Sequence, residues 1–164
     1  MKHLALSFLF AAFAALSTPA AHAEDDAIAW QGKRADGTTV HFDPQHLPRP
    51  AILLFWATWC PYCEALMPHL QNVYDAAGKG KLDVYAIDIK EDGDPVKTLR
   101  ERKQTFILIL DGDAIADQYA VKGTPGLFLV DTHGKIIYHR VGGDAPEKVE
   151  AALREKLHLP AQTH

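Results

Sequence analysis

Hydrophobic and polar positions follow two different periods along this chain, and the change of period separates predicted strands from predicted helices. Residues 51–57 are continuously apolar, as expected of a central strand that is covered on both faces. Leu66, Leu70 and Val73 then recur at intervals of three and four residues, which is the spacing of one helical face. We therefore predict a buried central strand followed by a long helix that begins at Cys60.

Weaker patterns predict the remaining elements. Pro68 should kink the long helix, and the glycines at residues 78–80 should end it. Asp36-Gly37 is typical of a hairpin turn, and Asp113 is a candidate helix cap. The other predicted strands cover residues 28–30, 39–42, 82–88, 106–110, 127–130 and 135–141, and the other helices cover residues 96–103, 113–119 and 145–157. This order predicts an α/β domain with a mixed central sheet flanked by helices and an N-terminal β-hairpin.

Residues 1–23 have the composition of a secretory signal peptide. Lys2 precedes a mostly apolar stretch at residues 4–16, and Ala-His-Ala at residues 21–23 matches a cleavage site. A membrane anchor is the alternative, but thirteen residues are fewer than the ~20 that span a bilayer. We predict cleavage after residue 23, export, and one soluble domain at residues 24–164.

The charge balance does not favour nucleic acid as a partner. The chain has 17 basic and 21 acidic residues, which gives a net charge of −4. Cleavage after residue 23 would remove Lys2 and no acidic residue, leaving 16 basic residues against 21 acidic ones and a net charge of −5. A basic surface typical of nucleic-acid-binding proteins is therefore not expected.

The two cysteines, Cys60 and Cys63, stand at the predicted start of the long helix. Residues three apart share a helical face, so their sulfurs can close a disulfide without moving the backbone. The free N–H groups of a first helical turn favour a thiolate, which can bring a thiol pKa from about 8.5 to roughly 3.5–7.5. Cys60 is predicted to be the exposed attacking thiol, and Cys63, one turn further in, the shielded resolving thiol.

A structural role for this cysteine pair is the alternative. Closing a four-residue loop removes little entropy from the unfolded chain, so the disulfide would stabilise the fold weakly. Small exported proteins that depend on disulfides usually carry several. A zinc or copper site would need further ligands, and His69 and His133 are not at a finger spacing. We predict no metal and no other cofactor.

The motifs around the dithiol resemble the thioredoxin superfamily, and within it the exported TlpA/ResA/CcmG-like thiol–disulfide oxidoreductases. They are Phe-Trp-Ala-Thr-Trp-Cys-Pro-Tyr-Cys at residues 55–63, Pro68, and Val-Lys-Gly-Thr-Pro-Gly-Leu-Phe-Leu-Val-Asp at residues 121–131. The resemblance covers roughly residues 28–157, and it implies a thioredoxin-like fold.

The resemblance also implies roles for residues distant from the cysteines. Pro125 should be cis and present the Thr124 backbone beside Cys60, where a substrate strand can pair; an ordinary trans turn proline is the alternative. Thioredoxin has a buried aspartate on its central strand, but Leu54 stands at that position here. Alignment with ResA-like proteins puts Glu91 at their acidic position near the dithiol, where it would assist proton transfer. A solvated acidic loop is the alternative for Glu91.

Residues next to the cysteines are candidates for tuning and recognition. Pro61 and Tyr62 replace the Gly-Pro of thioredoxin and should tune the redox potential through the stability of the thiolate. Trp59, Pro61 and Tyr62 are predicted to form an apolar docking surface for substrate, with internal packing of the aromatic rings as the alternative.

The function implied by the resemblance is that of a periplasmic enzyme that reduces disulfides in exported proteins, with apocytochrome c as one substrate class. Its partners would be protein disulfides and a membrane thiol donor of electrons, and we expect a monomer. A disulfide-forming oxidant is an alternative, because the sequence does not set the direction of electron flow. A copper chaperone is weaker, since the wider cysteine spacing and distal histidine usual there are not evident. A peroxidatic role is disfavoured because Ala57 stands where a threonine is usual.

Overall fold

The computed structural model describes residues 26–140 and 143–161. Its strands are β1 (Trp30–Lys33), β2 (Thr39–Phe42), β3 (Ala51–Trp56), β4 (Asp83–Asp88), β5 (Ile107–Ile109), β6 (Gly126–Val130) and β7 (Ile136–His139). Its helices are α1 (Pro61–Ala77), α2 (Pro95–Glu101), α3 (Asp113–Gln118) and α4 (Pro146–Lys156), and a short 3₁₀ helix covers Pro44–His46. The predicted strands and helices are confirmed in order and type, with shifted ends.

The central sheet has five strands in the order β5-β4-β3-β6-β7. β3 pairs in parallel with β4 and antiparallel with β6, so the sheet is mixed, as predicted. All six residues of β3 are buried, because neighbouring strands lie on both sides and apolar layers cover both faces. The continuous apolar run of the sequence is explained by this central position.

Side chains of β3 alternate between two apolar clusters, one on each face of the sheet. Ile52, Leu54 and Trp56 pack with the inward sides of α1 and α4, in a cluster that also contains both cysteines. Leu53 and Phe55 pack with α3 and the N-terminal hairpin. The dithiol therefore lies on the same face of the sheet as Trp56.

β1 and β2 form a separate antiparallel hairpin, as predicted. Gly37 in its turn has a φ of 80°, which glycine adopts without steric cost. Trp30 stacks on Phe42 with ring centroids 5.1 Å apart. β1 begins at Trp30 rather than at residue 28, because the N–H and carbonyl groups of Ile28 bond the hydroxyl of Tyr119 instead of β2.

The helix ends lie within two residues of the predictions, but the predicted cap of α3 is not observed. Gly78, with a φ of 86°, ends α1, and Pro68 lies inside that helix. The predicted cap of α3 is wrong, because Gly112 occupies the N-cap and Asp113 lies in the first turn. The Asp113 carboxylate instead accepts the Lys90 N–H at 3.1 Å, which ties α3 to the loop that follows β4.

Two predictions fall outside the described residues. The signal peptide at residues 1–23 is one, and the last position of the strand predicted at residues 135–141 is the other. In the part of the chain that the structure describes, no helix is both long enough and apolar enough to cross a membrane.

A buried polar network joins α1 to α4. Glu150 is 2% exposed, and its two carboxylate oxygens lie 2.7 Å from Nδ1 of His69 and 2.8 Å from Nε of Arg154. Burial acts to raise the pKa of Glu150, but hydrogen bonds from Arg154, His69 and Asn72 outweigh it and hold the pKa below its usual value. His69 therefore serves a contact between two helices.

Glu150→Ala should lower the free energy of unfolding at neutral pH by about 3 kcal/mol, because it leaves the buried Arg154 guanidinium without its counter-charge. Urea unfolding followed by circular dichroism measures this loss. Glu147→Ala is the matched control: its carboxylate is 69% exposed and 3.8 Å from His69, so the change should stay under about 0.5 kcal/mol. Equal losses in the two variants would contradict the prediction.

Candidate active site

The two cysteines lie where β3 leads into α1. Cys60 is the N-cap of α1, in an extended conformation with φ −87° and ψ 108°. Its Sγ accepts the N–H of Cys63 at 3.1 Å, and its carbonyl oxygen accepts the N–H of Glu64 at 3.1 Å. The sulfur therefore takes the place of an N-cap oxygen, where free N–H groups and the helix dipole stabilise negative charge.

A disulfide joins Cys60 to Cys63, whose Cα atoms are 5.3 Å apart, within the usual range. Cys60 is 2% exposed and Cys63 is fully buried. The prediction of an exposed Cys60 is therefore wrong, because its side chain packs in the apolar cluster that also contains Cys63. The prediction that Cys63 is the better shielded of the two is confirmed.

Large aromatic side chains stand at the surface on either side of Cys60. Trp59 is 51% exposed and Tyr62 is 69% exposed, and Pro61 between them is exposed at the first position of α1. The indole N–H of Trp59 donates to the carbonyl oxygen of Lys90 at 2.8 Å, which ties this ring to the loop after β4. We call Trp59, Pro61 and Tyr62 the aromatic patch.

Glu91, in the loop after β4, holds the connection that precedes Cys60. One of its oxygens accepts the Thr58 N–H at 2.8 Å, and the other accepts the Thr58 hydroxyl. The second oxygen also accepts the N–H groups of Asp92 and Gly93, each at 2.9 Å. Burial acts to raise the pKa of Glu91, but these hydrogen bonds outweigh it and lower the pKa. Glu91 therefore binds Thr58 two residues before Cys60 rather than extending into solvent.

The Thr124–Pro125 peptide bond is cis, as the resemblance implies. The next residue, Gly126, begins β6 and pairs with Phe55 near the end of β3. Because β3 and β6 are antiparallel, the cis-proline loop and the loop leading to Cys60 lie at the same edge of the sheet.

Arg140 is hydrogen-bonded to the cis-proline loop at Pro125. It follows β7, and its guanidinium donates to the carbonyl oxygens of Pro125 at 3.3 Å and of Asp144 at 3.1 Å. The sequence contains no sign of this contact, since a single arginine after a strand has no pattern that distinguishes it from a surface charge.

Asp88, the last residue of β4, is a buried carboxylate that the sequence reasoning missed. It is 3% exposed, and among the described residues its Oδ1 has no hydrogen-bond partner. Burial raises its pKa to about 6; the negative charges of Asp111 and Glu91 add to the rise, while backbone N–H groups at Asp111 and Gly112 oppose it. The only sign in the sequence was that Asp88 is the last residue of the strand predicted at residues 82–88.

Metal-binding geometry is not found among residues 26–140 and 143–161, where no three His, Cys, Asp or Glu side chains are grouped to hold an ion. The two histidines considered as ligands each lie beside a carboxylate. His69 contacts Glu150, and Nδ1 of His133 is 3.7 Å from Asp131.

A mixed sheet with a dithiol at the start of the helix after its central strand, and a cis-proline loop at the same edge, defines a thioredoxin-like dithiol protein. Residues 23–139 match the model of the AhpC/TSA family. The chain belongs to this family.

Relatives and solved structures agree with that class. Thiol-disulfide oxidoreductase ResA of Halalkalibacterium halodurans is 30% identical over 101 residues, which is 60% of this chain and 57% of the relative. A structure described as thiol:disulfide interchange protein DsbE from Chlorobium tepidum is 26% identical, with a TM-score of 0.69, over 82% of this chain and 94% of that one. The thioredoxin domain of a thiol-disulfide oxidoreductase from Bacteroides vulgatus is 25% identical, with a TM-score of 0.64. The match covers 79% of this chain and 96% of that one.

The resemblance to ResA-like and CcmG-like proteins, stated from the motifs, is confirmed by these comparisons. The match spans less than two thirds of the length of the curated relatives, 57% of the ResA from Halalkalibacterium halodurans and 61% of that from Bacillus thuringiensis.

Asp88→Asn should stabilise the oxidised protein at pH 7 and above by roughly 2 kcal/mol, because the wild type holds a buried charge there. The folded pKa of about 6 exceeds the unfolded value of about 3.9, so the contribution of Asp88 to wild-type stability falls as the pH rises from about 4 to about 6. The advantage of the variant should therefore vanish below about pH 4. Thermal unfolding between pH 3 and 8 measures it, and a pH-independent difference would contradict this assignment.

Proposed function

We propose that this protein is an exported thiol–disulfide oxidoreductase that reduces disulfides in periplasmic proteins. The observation that carries the proposal is the position of the Cys60 sulfur at the N-cap of α1, where it accepts the Cys63 N–H and is bonded to Cys63. The same N–H group would stabilise a thiolate in the reduced protein.

The reaction begins with the reduced dithiol. The Cys60 thiolate attacks one sulfur of a target disulfide; the target S–S bond breaks, and its electron pair leaves on the other target sulfur. Cys63 then attacks the Cys60 sulfur in the mixed disulfide and displaces the first target sulfur. Two electrons have passed to the target, two target thiols are released, and Cys60 and Cys63 are left as the disulfide seen in the structure.

Substrate would bind between the aromatic patch and the cis-proline loop. The exposed rings of Trp59 and Tyr62 offer apolar contact area next to the buried disulfide, and Pro61 lies between them. The pairing of Gly126 with Phe55 places Thr124 at the same edge of the sheet as Cys60, where an extended substrate segment can pair with its backbone.

Glu91 supports the reaction by positioning. Its four hydrogen bonds hold Thr58 and the loop at residues 91–93, which fixes the approach of the chain to Cys60. These bonds also bind the hydroxyl of Thr58, the threonine nearest the position expected in a peroxidatic site, which supports disulfide exchange over peroxide reduction.

The compartment and partners are proposed on the basis of the signal-peptide pattern at residues 1–23 and the resemblance to exported relatives. A membrane thiol protein would return the disulfide to the dithiol state. Protein disulfides are the substrates, with those of apocytochrome c as one class, and the protein would act as a monomer. The acidic net charge does not favour nucleic acid as a partner.

Cys60→Ser should reduce the rate of insulin disulfide reduction with a dithiol reductant to that of the reductant alone, because the attacking sulfur is gone. Cys63→Ser should still attack, but it should accumulate a mixed disulfide detectable by mass spectrometry. The control Glu101→Gln, whose carboxylate is 62% exposed on α2, should keep the wild-type rate. Full activity of Cys60→Ser, or peroxide consumption faster than disulfide reduction, would contradict the proposal.

The direction of electron flow can be measured separately. A reductase should have a reduction potential near −270 mV in equilibrium with glutathione or thioredoxin, whereas a potential near −120 mV would identify a disulfide-forming oxidant. We expect a reduction potential close to −270 mV for this protein. The midpoint is read from alkylation of Cys60 and Cys63 at a series of redox buffers.

A further inference from the structure

A cavity of about 570 Å³ lies beside the cis-proline loop, and the proposed function gives it no role. It is lined by residues 121–125 of that loop and by side chains of β6, β7 and the segment that follows α3. Pockets that bind small ligands usually have volumes of about 300–1,000 Å³. The cavity is therefore large enough to hold a side chain of a bound polypeptide.

The cavity lies on the face of the sheet opposite to the dithiol. Its apolar lining, Tyr119, Phe128 and Ile136, packs in the cluster formed with α3 and the N-terminal hairpin. Both cysteines belong to the other cluster. The cis-proline loop borders the cavity and shares a sheet edge with Cys60. A polypeptide bonded to the Cys60 sulfur would therefore reach the cavity by crossing this loop.

The charged side chains that line the cavity are all basic. They are Lys122, His139 and Arg140, and no Asp or Glu among the described residues joins them. Lys122 is exposed, and the His139 ring lies against Phe128 with centroids 6.3 Å apart. The whole chain has 21 acidic residues against 17 basic ones, so the cavity has a charge opposite to that of the protein. We call it the basic cavity.

The charges of Lys122 and Arg140 are not neutralised within the part of the chain that the structure describes. Neither side chain forms an ion pair with a carboxylate there. The two terminal nitrogens of Arg140 donate to the backbone carbonyl oxygens of Pro125 and Asp144. Each of these nitrogens carries a second N–H, so the guanidinium has donors left for an anion.

A carboxylate close to the cavity, that of Asp26, has its own partner. Asp26 lines an adjacent cavity, which shares Tyr119 and Phe128 with the basic cavity. Its carboxylate lies 2.6 Å from Nζ of Lys135. The basic cavity is therefore suited to a carboxylate from another molecule.

We propose that the basic cavity is a substrate subsite that binds an acidic side chain of the polypeptide whose disulfide is reduced. An apolar wall with cations beside it suits glutamate, whose methylene groups can lie on the rings while its carboxylate accepts N–H groups of Lys122 or Arg140. This inference rests on the proposed function and deepens it, because it names the preferred substrate class as disulfides flanked by acidic residues.

The position of the acidic residue follows from the path of the substrate. Crossing from one face of a sheet to the other spans on the order of 10 Å, and an extended chain covers ~3.3 Å per residue. The acidic residue should therefore stand about two to four positions from the target cysteine. It should stand on one side of that cysteine only, because the cavity lies on one side of the cis-proline loop.

The test is the reaction of the reduced protein with four synthetic peptides, each with one cysteine held in a disulfide with thionitrobenzoate. Two peptides carry glutamates at the second to fourth positions, either before or after the cysteine, and the other two carry glutamines there. The Cys60 thiolate bonds to the peptide sulfur, the peptide–aryl S–S bond breaks, and its electron pair leaves on thionitrobenzoate. Stopped-flow absorbance of the released thionitrobenzoate gives the second-order rate constant of this attack.

One of the two glutamate peptides should react about fivefold faster than its glutamine counterpart, which is the size of effect that a partly exposed ion pair gives. The other should react no faster than its counterpart. The net charge of −4 would by itself repel both glutamate peptides, so a preference for one of them indicates a local site. Equal preference for both, or for neither, would overturn the inference.

Lys122 is the position to change, because Arg140 also bonds the cis-proline loop and its replacement would alter the loop itself. Lys122→Glu should remove the preference, bringing the ratio of the two rate constants to about one or below, whereas Lys122→Arg should keep the ratio within about twofold of wild type. Lys79→Glu is the matched control. It makes the same change of charge just after the C-terminal end of α1, about 25 Å along the helix from Cys60, and should keep both rate constants. Equal loss of preference in Lys122→Glu and Lys79→Glu would contradict the subsite.

Failure of the proposed function and failure of this inference are distinguishable. A reduced protein that released thionitrobenzoate from none of the four peptides would remove the proposed function. A protein that reacted with all four at equal rates would keep the proposed function and remove only the subsite.

Discussion

The structure depends on one junction, where the buried strand β3 ends and α1 begins with a sulfur as its cap. The first N–H groups of any helix lack partners within it, and here the Cys60 Sγ accepts one of them, from Cys63. Burial of all six residues of β3 fixes the position of that helix end relative to the sheet. The Cys60 sulfur is thus held at the end of the buried central strand, and Glu91 holds the short connection between the two.

Asp88 and Glu91 are three residues apart near this junction, but their surroundings shift the pKa values of the two carboxylates in opposite directions. Asp88 is the last strand residue, so the alternation of the strand turns it into the apolar layer, and burial raises its pKa to about 6. Glu91 has left the strand and meets the free N–H groups of a loop, where hydrogen bonds lower its pKa. Hydrogen bonds in the loop therefore stabilise the ionised form of Glu91, whereas burial at the end of the strand favours the protonated form of Asp88.

Distant segments complete the site because the sheet brings their ends to one edge. The antiparallel pairing of β6 with β3 sets the cis-proline loop beside the start of α1, and Arg140, after β7, bonds the carbonyl of Pro125. Away from the sheet, Glu150 of α4 bonds His69 and Asn72 of α1, which fastens α1 to α4. Helix α1 therefore packs against the central sheet on one side and is bonded to α4 on another.

Local patterns in the sequence determined the order of strands and helices, the central place of residues 51–57 and the position of the dithiol at a helix start. They could do so because the spacing of apolar residues and the effects of glycine and proline act over a few residues. The resemblance added the cis bond at Pro125, which no local preference could establish. Only the tertiary structure decided that Asp88 is a buried carboxylate, that Cys60 is buried, and that Arg140 bonds the carbonyl of Pro125. Those outcomes follow from strand register and packing between residues far apart in the chain, and no periodicity of the sequence encodes them.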